Sequence, residues 1–433
     1  MHRGDILVAA VLDDHPIGTV NGTSRERSFD RWFRYPAGFS ASALRASTSA
    51  LELMPGTTVL DPFCGTATSA FAEVLRDHPF VGIEAHPLIA DLARMKLRAV
   101  DQNRLRALGA ELGDSVTPGS GEEEYSLVRR CFSPSTLDVL VGLREVIEAR
   151  RTCPLRHHLR WALLGTLRDV ANVKVGWPYL RPDLERVPPH LDAATRFAAR
   201  CRMMAEDLAD PRPAEAWIVR GDARSASAWS RAAARGPFDA SITSPPYLNN
   251  FDYADATRLE LYFLRRTRSW RELREQVRDG LVVATTQQST RPAAGRALAA
   301  LRRHPTTHRR VSALVDNLAA ERAKRPRGKE YDQLVPTYFA DLARILEHLR
   351  RHLHPGARSA WVIGDSAPYG VYVDTPAILL ALAADIGFEP VSDEEIRSRG
   401  LRWRTNGTRH QVPLSERLIV FDAPVRRGGR PPA

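Results

Sequence analysis

Residues 238–247 read Phe238-Asp239-Ala240-Ser241-Ile242-Thr243-Ser244-Pro245-Pro246-Tyr247, and this stretch decides the architecture. Its first half is a short apolar run, the pattern of a buried strand. Two consecutive prolines then stop it, because neither can donate to a sheet ladder or sit inside a helix. In an open α/β sheet, ligands bind at such carboxyl ends. A hydroxyl, a carbonyl whose neighbouring backbone is locked by proline, and an aromatic ring two residues on make a clamp for a flat molecule bearing an amino group. That describes a nucleobase.

Upstream lies Thr58-Val59-Leu60-Asp61-Pro62-Phe63-Cys64-Gly65-Thr66-Ala67-Thr68. An apolar strand enters a small-residue loop, and a helix is expected over residues 68–76, the strand-turn-helix geometry that offers backbone N–H groups to a polar ligand. Next comes Phe80-Val81-Gly82-Ile83-Glu84-Ala85-His86-Pro87, a second strand ending in an acid. An acid at that place in a nucleotide-binding unit accepts hydrogen bonds from ribose hydroxyls. The competing reading is a cap for the helix that begins near Pro87. Trp217-Ile218-Val219-Arg220-Gly221-Asp222-Ala223 reads as a third strand and turn, Ser359-Ala360-Trp361-Val362-Ile363-Gly364-Asp365 as a fifth, and Glu416-Arg417-Leu418-Ile419-Val420-Phe421 as the closing strand.

Ser244-Pro245-Pro246-Tyr247 resembles the signature of amino-methyltransferases, which methylate the exocyclic nitrogen of cytosine or adenine in DNA using S-adenosylmethionine. The loop from Asp61 to Thr68 is similar to the one that holds the methionine part of that cofactor, with Ala67 where the family usually has a second glycine. If that position needs positive φ, alanine is strained there. The resemblance implies an α/β fold: a Rossmann-like class I methyltransferase core with a mixed seven-stranded sheet and two insertions. It implies that Ser244, Pro245, Pro246 and Tyr247 are catalytic. Asp61, Pro62, Phe63, Cys64, Gly65 and Thr66 would hold the cofactor, Glu84 its ribose, and Asp222 and Ala223 its adenine. Tyr35-Pro36-Ala37-Gly38-Phe39 is similar to the segment that closes over the methionine end, with Gly38 where a basic residue is often found. Asn249, Asn250 and Asp252, just past the turn, are expected to touch substrate, and no metal is expected. The implied partner is double-stranded DNA with its target base flipped out; a cognate restriction endonuclease or defence-system proteins are further partners of such enzymes.

Serine at the first signature position is similar to cytosine-N4 enzymes, whereas Asp or Asn is commoner in adenine-N6 enzymes. An RNA guanine-N2 methyltransferase is a second reading, although those relatives usually carry Asp-Pro-Pro-Tyr and a separate RNA-binding domain. A catalytically inactive DNA-binding defence subunit is a third. Attack at cytosine carbon 5 would need a cysteine after proline, and the chain has no Pro-Cys dipeptide. The cofactor loop precedes the catalytic turn, yet its wording is similar to enzymes in which the order is reversed; the permutation class stays open.

Composition agrees with a polyanionic partner: 433 residues carry a formal charge of +11. Only Lys96, Lys174, Lys324 and Lys329 among the 62 basic residues are lysine. That skew, with many alanines, fits a GC-rich genome, so arginine as such does not testify to recognition. Cys64, Cys131, Cys153 and Cys201 form no CxxC pair, which points to a reduced, cytoplasmic protein without a zinc site or disulfide framework; the resemblance implies a bacterial, DNA-associated one. The apolar run 6–12 ends at Asp13-Asp14 with no small-residue cleavage site, and reads as a strand or anchor of the fold. No run approaches the ~18 apolar residues of a spanning helix.

The first insertion, residues 100–212, is expected to be largely helical, from the spacing of Leu137, Leu140, Leu143, Val146 and Ile147 and of Leu159, Trp161, Leu163, Leu164 and Leu167. Residues 118–124 and 181–190 read as loops, and Trp177-Pro178-Tyr179 as core. The second, residues 248–336, opens on an amphipathic helix through Leu259, Tyr262, Phe263 and Leu264. Basic groups follow at Arg265-Arg266, Arg302-Arg303, Arg309-Arg310 and Lys324-Arg325-Pro326-Arg327. Aromatic rings interleaved with arginine suit phosphate contact and base stacking, making this the candidate target recognition region. The tail Arg426-Arg427-Gly428-Gly429-Arg430 reads as disordered.

Overall fold

A computed structural model describes residues 27–35, 39–176, 180–185, 192–249, 251–399 and 412–425. The expectations for residues 6–12, 36–38, 177–179, 250 and 426–430 lie outside them. In chain order the strands are β1 Val59–Asp61, β2 Phe80–Glu84, β3 Val173–Lys174, β4 Arg181–Glu185, β5 Ala216–Arg220, β6 Phe238–Thr243, β7 Leu353–Gly364, β8 Glu389–Arg399 and β9 Leu414–Asp422. Seven of them form one sheet in the order β5-β2-β1-β6-β7-β9-β8, while β3 and β4 pair separately. The neighbours from β5 to β7 are parallel. β9 runs antiparallel to both β7 and β8. The expected mixed α/β sheet is therefore present.

Topology places the site. From β1 the chain builds outward through β2 and β5, then returns to add β6 and β7 on the other side, so the strand order reverses between β1 and β6. A crevice opens at such a switch point, outside the carboxyl ends. The register pairs Leu60 with Ser241, so the loop after Asp61 and the turn after Thr243 leave the sheet side by side.

Side chains alternate between the two faces with the period of a pleated strand. Leu60, Trp361 and Ile419 pack on one side with the helices Ala226–Ala233, Tyr331–His352 and Thr375–Ile386, joined by Phe238, which a register shift at the start of β6 separates from Ala240. Val59, Ala240, Ile242, Ala360 and Val420 pack on the other with the helix Ala41–Leu51. Pro336, the expected end of the second insertion, lies inside the helix Tyr331–His352.

Two local expectations need correction, and one strand had no expectation at all. Residues 68–76 do not form an α-helix; the chain takes successive turns and one 3-10 turn, Glu73–Leu75. Ala67 is left-handed at φ 62°, and the bonds that follow reach three residues back, from Ala70 to Ala67, Ala72 to Ser69 and Leu75 to Ala72. The Thr68 and Ser69 hydroxyls meanwhile bond to Asp30 and Asp61. Short polar side chains with outside partners thus compete with helix geometry. Residues 181–185, expected in a loop, pair as β4 with β3. β8 includes the charged stretch Ser392-Asp393-Glu394-Glu395-Ile396-Arg397, which lacks the apolar run of a buried strand; it is an edge strand, where charge prevents further pairing.

The first insertion is helical at Gln102–Ser115, Pro134–Ala149, Pro154–Val170 and Ala193–Asp207. Ser133 and Pro134 start one of these as N-cap and first residue. The helices enclose a core of their own that takes in Trp32, Phe33 and Tyr35. Asp207, only 1 % exposed, fixes that segment. Its carboxylate accepts from the Phe29 amide at 3.0 Å, the Trp32 indole at 2.7 Å and the Arg31 guanidinium at 2.9 Å. Asp207→Ala is expected to remove about 3 kcal/mol of stability by leaving these buried donors unpaired. Urea unfolding checks this; a loss below about 1 kcal/mol would contradict it.

Candidate active site

Asp61 closes β1 and is 1 % exposed. One oxygen accepts from the Thr243 hydroxyl at 2.6 Å and the Phe63 amide at 3.0 Å; the other accepts from the Ser69 hydroxyl at 2.7 Å. Burial pushes its carboxyl up to about 6, and the three donors oppose that shift. Asp61 therefore holds the loop after β1 against the end of β6, one residue before Ser244.

The loop is braced from behind. Lys96 is fully buried, and its ammonium donates to the Thr66 carbonyl at 3.0 Å and lies 3.4 Å from Asp30. Burial lowers its pKa, while Asp30 acts the other way. Asp30 also accepts from Thr68 at 2.9 Å. Gly65 and Ala67 both take positive φ, 52° and 62°. The position that favours a second glycine does need the left-handed conformation, and Ala67 adopts it with its methyl fully buried. Strain of ~1–2 kcal/mol is the expected cost.

Glu84 ends β2 facing this loop. Its carboxylate accepts from the His86 amide at 2.6 Å and from the backbone of Gly65 and Ala85. Burial pushes it up to about 7. The cap of the following helix is His86, whose Nδ1 accepts from the Leu88 amide at 3.2 Å, so the ring proton sits on Nε2 and is donated to Thr257 at 2.8 Å. Burial lowers His86 to about 3, which keeps it neutral.

A small recess, with a free volume of only about 10 Å³, is lined by Tyr35, Phe39, Asp61, Phe63, Cys64, Thr66, Thr68, Ser69 and Ser244. Residues from the N-terminal segment, the cofactor loop and the Ser-Pro-Pro-Tyr turn thus share one cavity. Pro62 and Gly65 belong to the same loop. Burial raises the pKa of the Cys64 thiol, which stays protonated. Asp222 and Ala223 stand further out: Asp222 accepts from the Arg224 amide at 2.8 Å and its guanidinium at 2.9 Å, and Arg224 continues to Asp341 at 2.9 Å.

In the turn itself Pro245 is buried and Tyr247 half-buried. The Ser244 side chain hydrogen-bonds the Tyr247 hydroxyl. Tyr338 donates to the Pro246 carbonyl at 2.9 Å, whereas the Pro245 carbonyl has no partner among the described residues. The Arg399 guanidinium lies 5.0 Å from the Tyr247 ring centroid and donates to the Asp365 carbonyl at 3.1 Å. Gly364, at the end of β7, makes this stack possible: a Cβ there would meet Arg399 at 2.0 Å and the Tyr247 ring at 3.0 Å.

Beyond the turn, Asn249 takes φ 57° and its amide donates to the Ala284 carbonyl at 2.9 Å. Asp252 is buried; it caps the Ala254 and Asp255 amides and pairs with Arg278. Arg168, from the first insertion, ties the two sides of the site together: it bonds the Arg34 carbonyl, the Ala256 carbonyl at 2.7 Å and Glu260 at 2.5 Å. Sequence reading missed Asp30, Lys96, Arg168, Tyr338 and Arg399. One signal was available for Lys96, a lysine retained inside an apolar helix of an arginine-biased chain.

No family model matches the chain. It is 22% identical over 445 aligned residues to the Type II methyltransferase M.BsoBI of Geobacillus stearothermophilus, covering 93% of this chain and 87% of that protein. Fold and homologue together support a methyltransferase. Two solved structures of the rRNA methyltransferase aviRa from Streptomyces viridochromogenes also align, at TM-scores of 0.30 and 0.28 and identities of 11% and 12%. They cover 95% and 96% of this chain, and it covers 89% and 90% of theirs.

A methyltransferase implies S-adenosylmethionine, and the residues fit it. Asp61 lines the recess with a buried carboxylate and Tyr35, Phe39 and Phe63 line it with apolar surface, while Glu84 holds a second buried carboxylate bonded to the loop at Gly65, a donor set that suits a ligand with cationic groups and a ribose diol. The folded chain holds the Glu84 proton more tightly than the unfolded chain, so this group's contribution to stability is full below its unfolded value and lost as pH rises through about 7. A ribose donor prefers the ionised form. Cofactor affinity should therefore rise between about pH 6 and 8, and Glu84→Gln should flatten the profile. Glu84→Ala should weaken binding by about 1–3 kcal/mol. Calorimetry checks both; unchanged affinity in a folded variant would remove Glu84 from the site.

Proposed function

We propose that this protein transfers the methyl group of S-adenosylmethionine to the exocyclic amino nitrogen of a base in double-stranded DNA, with cytosine N4 as the first target and adenine N6 the alternative. The observation that carries the reading is the shared recess: Ser244 lines the same cavity as Tyr35, Asp61, Phe63 and Thr66. The similarity to a Type II methyltransferase across nearly the whole chain supports it.

Bound in the recess, the cofactor supplies an electrophilic methyl group on a sulfonium sulfur. Tyr35, Asp61, the loop 62–66 and Glu84 would hold it. The amino lone pair of cytosine or adenine is delocalised into the ring and is a poor nucleophile. Ser244 Oγ and the Pro245 carbonyl accept the two amino hydrogens, drawing the nitrogen towards tetrahedral geometry and localising the lone pair. Tyr338 serves this indirectly by tying the next carbonyl, which fixes the turn. Tyr247 supplies a stacking face for a base that has left the duplex. Most of the acceleration then comes from positioning and from acceptors fixed in advance. Serine at the first position of the turn favours cytosine.

Ser244→Ala is expected to slow methyl transfer by about 2–4 kcal/mol of barrier with little change in DNA affinity. Tyr247→Ala should cost ~1–3 kcal/mol in retention of the flipped base, while Tyr247→Phe keeps most activity. Single-turnover methylation with 2-aminopurine at the target separates the two steps. Wild-type rates in both alanine variants would end the assignment of this turn as the catalytic centre.

A further inference from the structure

The basic residues of the second insertion are not equivalent: several are paired within the protein, whereas Arg291, Arg296, Arg302 and Arg309 are exposed and make no ion pair among the described residues. Arg265 is bonded to buried Glu124 at 2.8 Å, Arg266 to Asp91 at 3.0 Å, Arg268 to Glu272 at 2.6 Å, and Arg278 to Asp252. Arg303 lies 3.7 Å from Glu347, and Arg310 donates to the Ala377 carbonyl at 3.1 Å. The first five of these have an acidic partner within the chain, although Arg265, Arg268 and Arg303 stay exposed, and Arg310 meets only a carbonyl.

The loop after the helix Pro305–Ala323 is set apart by how it is held. Lys324 and Arg325 share Glu321, at 2.5 and 3.0 Å. Arg327 and Lys329 are exposed and make no ion pair among the described residues. An unusual clasp fixes this loop. Tyr369 adopts φ 57°, ψ 18°, a left-handed conformation rarely taken by a bulky residue. Its hydroxyl donates to the Lys329 carbonyl at 3.0 Å. Its ring meets Tyr331 edge-on at 4.8 Å and lies under the Arg325 guanidinium at 4.3 Å.

The clasp is anchored beside the catalytic turn. Tyr369 belongs to the loop that leaves β7 at Gly364, the residue against the Tyr247 ring, and that closes through the antiparallel bridge Ser366–Val373. A strained aromatic residue, held where strain requires the surroundings to enforce it, thus presents an exposed basic loop at the carboxyl rim of the sheet.

We propose that residues 324–329 grip the phosphate backbone of duplex DNA beside the extruded base, with Arg327 and Lys329 as the contacting charges and Tyr369 as the positioning residue. This rests on the DNA methyltransferase reading above. The nearby acids Glu321, Glu330 and Asp332 do not oppose it, since Glu321 already serves Lys324 and Arg325, Asp332 pairs with Arg322 at 3.0 Å, and the segment retains a positive excess.

The test is binding of a labelled random-sequence DNA duplex by anisotropy across a salt series, beside S-adenosylmethionine affinity by calorimetry. The double variant Arg327→Gln, Lys329→Gln should lower the slope of log affinity against log salt by about 2, near 0.9 for each lost contact, with cofactor affinity unchanged. Tyr369→Ala, which keeps every charge, should weaken duplex binding several-fold at constant cofactor affinity, and Tyr369→Phe should recover part of it. A wild-type slope in the double variant overturns this proposal while leaving the methyltransferase reading intact. Wild-type protein without salt-dependent duplex binding overturns both.

Discussion

Everything at the carboxyl edge of the sheet depends on one buried carboxylate. Asp61 terminates the central strand, and its two oxygens take the hydroxyl of Thr243, the hydroxyl of Ser69 and the amide of Phe63. Burying an acid is unfavourable, which is why its proton is held more tightly than usual; three converging donors offset that cost. The geometry follows from topology. Two parallel neighbours, β1 and β6, end level with one another, so a single side chain can bind both the loop that follows one and the residue that precedes the turn of the other. The loop after β1 and the Ser-Pro-Pro-Tyr turn become parts of one rigid unit.

The insertions serve this joint. Asp207 and Arg168 come from the first insertion, and between them they fix the segment carrying Tyr35 and tie it to the chain beyond the catalytic turn. Lys96 and Asp30 brace the back of the cofactor loop. Buried ion pairs of this kind are weak contributors to net stability, because desolvation consumes much of their attraction. Their value here is geometric: each fixes a backbone carbonyl or amide that a hydrophobic contact would leave free to shift.

Much of this was legible in the sequence. The strand ends carrying Asp61, Glu84 and Ser244 stood out because apolar runs broke into glycine, proline and acid. The mixed seven-stranded sheet followed from a resemblance that those motifs alone carried, whereas the order of its strands did not. The helical character of the first insertion was visible in leucine spacing. Other features were invisible for physical reasons. The stretch 68–76 looks helical by composition, and only the long-range bonds of Thr68 and Ser69 and the left-handed Ala67 turn it into tighter turns. β8 lacks the apolar run of a buried strand because it is an edge. Asp252, placed near substrate by its neighbourhood, has its carboxylate engaged by Arg278 and two amides. Tyr338 and Arg399 reach the catalytic turn from far along the chain, and no local pattern announces such partners.

The central claim is that this joined site methylates a base amino group. The most direct measurement is mass spectrometry of nucleosides from duplex DNA incubated with the purified protein and isotopically labelled S-adenosylmethionine. Label in N4-methylcytosine, or failing that in N6-methyladenine, is the predicted result. Label in 5-methylcytosine, or in no DNA base while structured RNA acquires N2-methylguanine, would contradict it.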